Sequence, residues 1–260
     1  LASLKCKAEL DGDEYVINGQ KTWTTLGQFA DWIFVLVRTD DSGIKQTGIT
    51  FILVDMNTPG IEVKPIITLD GDHEVNEIWF DNVRVPKENV VGEVNQGWTY
   101  AKFLLTHERS SIAGAPQMRR AINRLAKKAE KTFHGDSPLS EDPTFKAKVG
   151  QFNLDLDALE MTELRGLAAQ REGNPPGAES SLLKIKGTDL QQRLSSLAVE
   201  IAGHDAMPYG GPYGFSDIEV AAAKDAQLSA PKYLNFRKVT IYGGTNEIQK
   251  NIIAKAILGL

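Results

Sequence analysis

The spacing of hydrophobic and polar residues along the chain changes near residue 93. Before this point, short runs rich in β-branched and aromatic residues are separated by turn-forming residues, which is typical of strands. The predicted strands cover residues 14–17, 32–38, 48–55, 61–67 and 76–86. Asn18-Gly19 predicts a hairpin turn, because both residues tolerate the positive φ of a type I′ turn. We therefore expect an antiparallel β domain over residues 1–93.

After Gly97 the hydrophobic residues recur three and four positions apart, as on one face of a helix. Two such stripes are Val149, Phe152, Leu156 and Leu159, and Leu183, Leu190, Leu194, Leu197 and Ile201. The Gly-Asn-Pro-Pro-Gly stretch at 173–177 predicts a short connection between antiparallel helices. Residues 94–260 are therefore predicted to form an antiparallel four-helix bundle, and the fold class is α+β.

Composition narrows the function classes. The formal net charge of the 260 residues is −5 and no long basic run occurs, which argues against nucleic acid and anionic membranes as partners. The single cysteine, Cys6, rules out an intrachain disulfide framework. No apolar stretch is long enough for membrane insertion, and no metal site is predicted. We expect a cytoplasmic protein, or a mitochondrial matrix protein in a eukaryote. The chain starts at Leu1 in a strand-like pattern, so we expect a fragment.

The first segment that could carry chemistry is Lys21-Thr22-Trp23-Thr24-Thr25. An indole ring can stack on a flat heterocycle while a neighbouring hydroxyl bonds to the edge of that heterocycle. An ordinary strand with a half-buried Trp explains the same residues.

The second segment is Glu108-Arg109, in a helix predicted to begin near Trp98. Apolar neighbours could desolvate the Glu108 carboxylate and raise its pKa toward that of a proton acceptor. A surface Glu paired with a nearby cation is the alternative.

The third segment is Tyr242-Gly243-Gly244 with the polar residues that follow it. The two glycines allow a close approach of backbone to a ligand, and Thr245, Asn246, Glu247 and Gln249 crowd polar groups onto a helix start. This start suits a large polar cofactor, although a tight turn with a helix cap would look the same.

Taken in order, four stretches resemble the acyl-CoA dehydrogenase family over nearly the whole chain. They are Ile-Asn-Gly-Gln-Lys-Thr-Trp-Thr-Thr at 17–25, Glu-Ile-Trp-Phe-Asp-Asn-Val-Arg-Val-Pro at 77–86, Gly97-Trp98, and Ile-Tyr-Gly-Gly-Thr-Asn-Glu-Ile-Gln at 241–249. The resemblance implies that residues 1–93 are part of the family's middle β domain, incomplete at its start. The remainder would be the C-terminal helical bundle, and the family's N-terminal helical domain is absent from this chain.

The resemblance also implies a reaction and a cofactor. Family members bind FAD, remove the α-proton of an acyl-CoA thioester with a carboxylate, pass the β-hydride to flavin N5, and release a trans-2-enoyl-CoA. By resemblance, Trp23, Thr24 and Thr25 would contact the flavin. Thr245 and Glu247 would lie near the adenosine portion of FAD, in a site shared with a neighbouring subunit.

One departure from the family pattern decides the proposed base. Many members carry the catalytic glutamate directly after the Tyr of the C-terminal turn, where this chain has Gly243. In the branch that includes isovaleryl-CoA and long-chain acyl-CoA dehydrogenases, the carboxylate precedes an arginine on a bundle helix, as Glu108 precedes Arg109 here. We therefore expect Glu108 to be the base and the Gly243 N–H to bond the thioester oxygen. Arg109, Tyr242 and Gly244 would bind substrate.

The implied partners are an acyl-CoA, an electron-transferring flavoprotein, and other subunits in a homotetramer (a dimer of dimers) or a heterotetramer. The implied role is fatty acid β-oxidation. Two alternatives share the fold: a flavin-dependent monooxygenase, and a non-catalytic subunit of a heteromeric dehydrogenase. An oxygen-dependent acyl-CoA oxidase would keep the same carboxylate.

Overall fold

The protein forms two compact units in a computed structural model, Leu1–Leu104 and Leu105–Leu260. The structure describes residues 2–111, 113–174, 177–207 and 228–260, and only the backbone of 106–111. The two units are considered separately. The domain boundary at residue 93 stays a prediction.

The first unit is built on a six-stranded sheet with the order β4-β3-β1-β2-β6-β5. The strands are β1 (Lys7–Asp11), β2 (Glu14–Thr25), β3 (Trp32–Arg38), β4 (Ile49–Asp55), β5 (Ile61–Ile66) and β6 (Val75–Pro86). Neighbouring strands are antiparallel except β1 and β3, which are parallel and meet at Lys7 and Arg38. The predicted strands are confirmed, although the first extends from residue 14 to residue 25.

Alternation along the strands explains which face of the sheet is buried. In β3, Val35 and Val37 are buried in the core that also holds Ile17 of β2, Ile52 of β4 and Ile78 of β6. Successive side chains in a strand point to opposite faces, so the residues between these positions face away from that core.

The predicted hairpin at Asn18-Gly19 is wrong. Both residues lie inside β2, where the register against β6 shifts between Ile17 and Gly19. Gly19 has φ +136°, and a Cβ there would come within 2.7 Å of the Cα of Cys6. The glycine is therefore needed because the backbone at Cys6, just before strand β1, passes very close to it, and not to reverse the chain.

The chain reverses instead at Gly12-Asp13, between β1 and β2. Asp11 pairs with Glu14, so the loop has two residues, and Gly12 has φ +66°. Both Gly12-Asp13 and Asn18-Gly19 carry a hairpin signal, and the structure places the turn at the first of them.

The second unit is helical. Helix α1 (Gly97–Ser111) runs across the division between the units. The further α-helices within the described residues are α2 (Ala115–Ala129), α3 (Pro143–Arg171), α4 (Glu179–Ala202), α5 (Ser229–Asn235) and α6 (Asn246–Ile253). A two-stranded ribbon, β7 (Phe133–His134) and β8 (Ser137–Pro138), lies between α2 and α3. The helical bundle predicted from the spacing is confirmed.

The two predicted stripes form the core of this bundle. Phe152, Leu156 and Leu159 of α3 are buried, and Val149 packs against the same cluster. All five residues of the α4 stripe are buried there too. The predicted break at 173–177 follows the end of α3, but residues 175 and 176 lie outside the described part of the chain. Within the described residues, we find no helix with the length and hydropathy that crossing a membrane requires.

Candidate functional site

Trp23 occupies a β-bulge in strand β2. Thr22 pairs with Glu77 and Thr24 pairs with Asn76, so Trp23 is an extra residue with no partner on β6. Its φ is +67°, which is uncommon for a bulky residue. A bulge re-aims the side chain of the extra residue and locally increases the strand twist.

The bulge presents the indole ring to the outside of the first unit. The Trp23 side chain is 66% exposed, although large aromatic residues usually bury most of their surface. Thr25 is exposed and Thr24 is half-buried. The alternative of an ordinary half-buried strand Trp is therefore not what the structure shows. A backbone conformation of this kind costs about 1–3 kcal/mol and is often found at functional sites.

A buried amide holds this end of β2 in place. Asn76 is fully buried, and its Nδ2 donates to the Thr24 carbonyl at 3.0 Å and to Gln28 Oε1 at 2.7 Å. His73 Nε2 lies 2.6 Å from Asn76 Oδ1, and Gln28 Nε2 donates to the His73 carbonyl at 2.9 Å. Because Asn76 Oδ1 can only accept, His73 Nε2 carries the proton.

Leu26 is a second bulky residue with positive φ, at +53°, and it is 52% exposed. Its N–H donates to the Glu74 carbonyl at 2.8 Å, which holds the turn after β2 against the loop before β6. No local pattern of residues predicts this conformation, because it depends on that long-range bond.

In the second unit, Gly243 and Gly244 form a turn with φ +64° and +82°. Two consecutive residues in the left-handed region explain why both are glycine. The turn leads directly into α6, and the Thr245 hydroxyl caps this helix by accepting from the Ile248 N–H at 3.3 Å. The predicted helix start is confirmed. Tyr242, before the turn, is 45% exposed.

The polar residues after the turn divide into two sets. Thr245 is half-buried and Glu247 is exposed, and hydrogen bonds from the Glu247 N–H and the Thr245 hydroxyl lower the pKa of the Glu247 carboxyl. Asn246 and Gln249 bond to α4 instead, as described below. Thr245 and Glu247, the two residues that the resemblance assigns to the cofactor, are therefore the ones on the outer side of the turn.

Gln249 is fully buried beneath the turn. Its Nε2 donates to the carbonyls of Gly243 at 3.1 Å and Gly244 at 3.3 Å, and its Oε1 accepts from the Ser181 hydroxyl of α4 at 2.7 Å. Asn246 is held from the same helix by Lys184, whose Nζ donates to Asn246 Oδ1 at 2.8 Å.

Lys184 is a fully buried lysine that sequence reasoning did not single out. Burial lowers the pKa of its ammonium group, while the nearby Glu247 carboxylate acts in the opposite direction. Lys184 shares the inward face of α4 with Gly187 and Thr188, three and four residues further on, and their burial is visible only in the structure.

Glu108 and Arg109 lie on helix α1, which confirms that this segment is helical and begins at Gly97. Their side chains are outside the described part of the structure. Their roles as base and substrate contact stay predictions.

A concave surface elsewhere in the second unit does not coincide with the predicted site. A groove of about 1170 Å³ is lined by residues of α2, α4 and α5 and by residues that directly follow them. Met118, Leu194 and Phe236 are among its apolar lining residues, and Lys127, Lys131 and Lys232 are among its charged ones. None of the predicted site residues lines this groove.

Two family models match the chain. The model described as acyl-CoA dehydrogenase, C-terminal domain, matches residues 95–258, and the model described as acyl-CoA dehydrogenase, middle domain, matches residues 1–83.

Individual relatives agree with these matches. Acyl-CoA dehydrogenase IpdE1 of Mycobacterium tuberculosis is 36% identical over the whole chain, and acyl-CoA dehydrogenase FadE34 of the same organism is 35% identical. The chain spans 63% of the length of IpdE1 and 33% of the length of FadE34.

Solved structures share the fold over the whole chain. The Tcur3481-Tcur3483 steroid ACAD G363A variant is 28% identical with a TM-score of 0.85, and the chain covers 65% of that structure's chain. The ChsE4-ChsE5 complex from Mycobacterium tuberculosis is 29% identical with a TM-score of 0.82, again with 65% of that chain covered.

Proposed function

We propose that this chain, which belongs to the acyl-CoA dehydrogenase family, takes part in FAD-dependent α,β-dehydrogenation of an acyl-CoA thioester. The observation that carries the proposal is the bulge at Trp23. It holds an exposed indole in a strained conformation beside two threonines, and a buried network fixes the strand end behind it. This presentation suits a flat heterocycle.

The residues of the first unit fit the isoalloxazine ring of FAD. The exposed Trp23 ring offers a face for stacking, and the hydroxyls of Thr24 and Thr25 can donate to nitrogen or oxygen at the edge of the flavin. FAD, when bound, supplies the hydride acceptor. The protein's contribution is to orient and cover that ring, since the chemistry of hydride acceptance belongs to the cofactor.

We propose that the Glu108 carboxylate is the base that removes the α-proton of the thioester. The turn of the second unit offers no carboxylate next to Tyr242, because Gly243 has no side chain. Glu108 on α1 directly precedes Arg109, and its carboxylate would accept the proton as the β-hydride leaves. The N–H of Gly243 would donate to the thioester oxygen and stabilise the charge that develops there. Arg109, Tyr242 and Gly244 would contact the substrate.

Thr245 and Glu247 are assigned to the adenosine portion of FAD, in a site completed by a neighbouring subunit. Both lie on the outer side of the turn, where a second chain can reach them. The proposed assembly is a dimer of dimers or a heterotetramer, with an electron-transferring flavoprotein as the electron acceptor. The proposed setting is the cytoplasm, or the mitochondrial matrix in a eukaryote.

A second candidate is a subunit of a heteromeric dehydrogenase that completes the site of its partner. Two observations favour it. Gly243 stands where many relatives carry the catalytic carboxylate, and two of the structurally similar proteins, Tcur3481-Tcur3483 and ChsE4-ChsE5, are named as pairs. In this case the partner would supply the base or bind the FAD.

An anaerobic titration separates these candidates. The intact protein, loaded with FAD, is mixed with thioesters carrying short branched, long linear and polycyclic acyl groups, and the visible flavin absorbance is followed. Bleaching by one class supports the dehydrogenase and identifies the substrate class. A protein that binds no FAD until a partner subunit is added supports the heteromer. Bound FAD that no thioester bleaches, either alone or after a partner subunit is added, contradicts both and favours the flavin-dependent monooxygenase.

Oxygen reactivity separates the dehydrogenase from an oxidase. After bleaching by a thioester, the solution is exposed to air and the return of flavin absorbance is timed. Slow return, accelerated by an electron-transferring flavoprotein, is expected for a dehydrogenase. If the flavin absorbance returns within the turnover time and hydrogen peroxide is formed, the protein is an acyl-CoA oxidase.

A further inference from the structure

We infer that Gln249 is a positioning residue for the reaction proposed above. Its buried amide orients the peptide groups of the Gly243-Gly244 turn, so that the N–H donors of this turn are presented away from the bundle core. The inference rests on the proposed function, in which the Gly243 N–H, on the peptide directly before the two that Gln249 holds, donates to the thioester oxygen.

Every polar group of the Gln249 side chain has a partner. The two N–H groups of its amide donate to the carbonyls of Gly243 and Gly244, and its oxygen accepts from the Ser181 hydroxyl. Carbonyl oxygens accept and do not donate, so the amide orientation follows from the partners. A buried amide with all its bonds made has one stable orientation, because any rotation would leave a buried group unsatisfied.

The hydrogen bonds from Gln249 to the two glycine carbonyls, called the brace below, also determine where the N–H groups of the turn point, because peptide groups are planar. In a trans peptide, the C=O of one residue and the N–H of the next point in opposite directions. The carbonyls of Gly243 and Gly244 point inward to Gln249, so the N–H groups of Gly244 and Thr245 point outward. The two peptide planes held by Gln249 share the Cα of Gly244, so the same contacts fix φ and ψ at Gly244, and with them the plane of the turn that directly follows the Gly243 N–H.

The fit between the brace and the turn is close. A Cβ on Gly244 would lie 2.5 Å from Gln249 Nε2, so a side chain at 244 would displace the amide. The other flank of the turn is held by the bond between Lys184 and Asn246. Helix α4 therefore supports the turn at two points, through Ser181 and Lys184.

The chain contains a matched control for the brace. Gln192 of α4 also donates its Nε2 to two consecutive carbonyls, those of Phe236 at 3.2 Å and Arg237 at 3.3 Å. These bonds support a different part of the bundle. A Gln→Met change at either position removes an amide that bridges two carbonyls and keeps a side chain of similar volume.

The test compares Gln249→Met with Gln192→Met in the intact protein loaded with FAD, using a thioester that bleaches the wild type. We expect Gln249→Met to lower kcat at least tenfold with KM within about threefold, because a misplaced donor affects the transition state more than binding. Gln192→Met should keep kcat and KM within about twofold. Gln249→Met should lose more thermal stability than Gln192→Met, because it also removes the bond to the buried Ser181 hydroxyl, so kcat and KM are measured well below both unfolding midpoints. A kcat for Gln249→Met within twofold of that for Gln192→Met would overturn the inference.

A milder pair of variants covers the case in which Gln249→Met does not fold. Ser181→Ala removes the partner of Gln249 Oε1, and Ser180→Ala removes a neighbouring hydroxyl that bonds to the Gly177 carbonyl at 2.8 Å. We expect Ser181→Ala to lower kcat about threefold and Ser180→Ala to leave it unchanged, since only the first bond reaches the turn. Equal kcat values for the two would count against the inference.

A measurement that needs no turnover separates this inference from the proposed function. The N–H groups of Ile248 and residue 249 bond to the Thr245 hydroxyl and carbonyl, so their hydrogen exchange reports whether the turn is held. We expect exchange at least tenfold faster in Gln249→Met than in Gln192→Met. Unchanged exchange refutes the brace. Faster exchange in a protein that no thioester reduces keeps the brace and refutes the reaction.

Discussion

The buried amide of Asn76 offers a direct perturbation of the strand end that presents Trp23. In Asn76→Ala the Thr24 carbonyl, Gln28 Oε1 and His73 Nε2 each lose a partner. A hydrogen bond contributes about 1 kcal/mol net, and a buried group left unsatisfied costs about 1–3 kcal/mol. We expect a loss of about 2–4 kcal/mol in the free energy of unfolding, since Gln28 can turn toward new partners.

The assay is thermal unfolding followed by circular dichroism, with retained FAD measured after gel filtration. For a domain of this size, 1 kcal/mol corresponds to about 2–4 °C, so the midpoint should fall by about 4–16 °C. FAD retention should fall as well, because the Thr24 carbonyl lies beside Trp23. The control is Asn89→Ala, which loses one bond to the Leu53 carbonyl at 3.1 Å in an exposed setting and should change the midpoint by less than about 4 °C.

Two outcomes would refute this reasoning. If Asn76→Ala is as stable as Asn89→Ala, the buried network does not stabilise the sheet. If Asn76→Ala is destabilised as expected but keeps FAD as firmly as the wild type, the network stabilises the sheet without positioning the flavin contacts.

Two further predictions concern the bundle. In denaturant unfolding, Gly187→Ala should destabilise the protein by about 1–2 kcal/mol, because the new Cβ would lie 2.7 Å from the Cα of Ala113. Gly150→Ala, in open space on α3, should stabilise the protein by about 0.5–1 kcal/mol. The opposite order of stabilities would contradict the packing. Burial lowers the pKa of Lys184, so above its folded pKa the unfolded state binds more protons than the folded state. The unfolding free energy of the wild type, relative to that of Lys184→Met, should therefore rise as pH increases toward 10.5. A difference that does not change with pH between 8 and 10 would refute this prediction.

The sequence was most informative where structure is local. The strands at 32–38 and 61–66 and the stripes of α3 and α4 follow from a period of two or of three to four residues, which neighbouring residues alone determine. The capped start of α6 was also visible, since Thr245 is a good cap after two glycines.

Features that depend on distant residues could not be predicted. Asn18-Gly19 has the composition of a turn, but the approach of Cys6 gives the glycine another purpose. The bulge at Trp23 exists because β6 offers one residue fewer than β2, which no local pattern in β2 reveals. The burial of Gln249 requires Ser181, which is 68 positions away. Sequence therefore indicated the candidate residues and not the buried groups that hold them.

The most direct test of the proposed function is the rate of anaerobic flavin bleaching in Glu108→Gln. The matched control is Glu163→Gln on α3, since burial and the neighbouring Glu160 raise the pKa of the Glu163 carboxyl and make it an alternative base. We predict that Glu108→Gln keeps FAD and that its rate of flavin bleaching is at least a hundredfold lower than that of the wild type. Glu163→Gln should bleach at the wild-type rate. Bleaching of Glu108→Gln at the wild-type rate would contradict the assignment of the base.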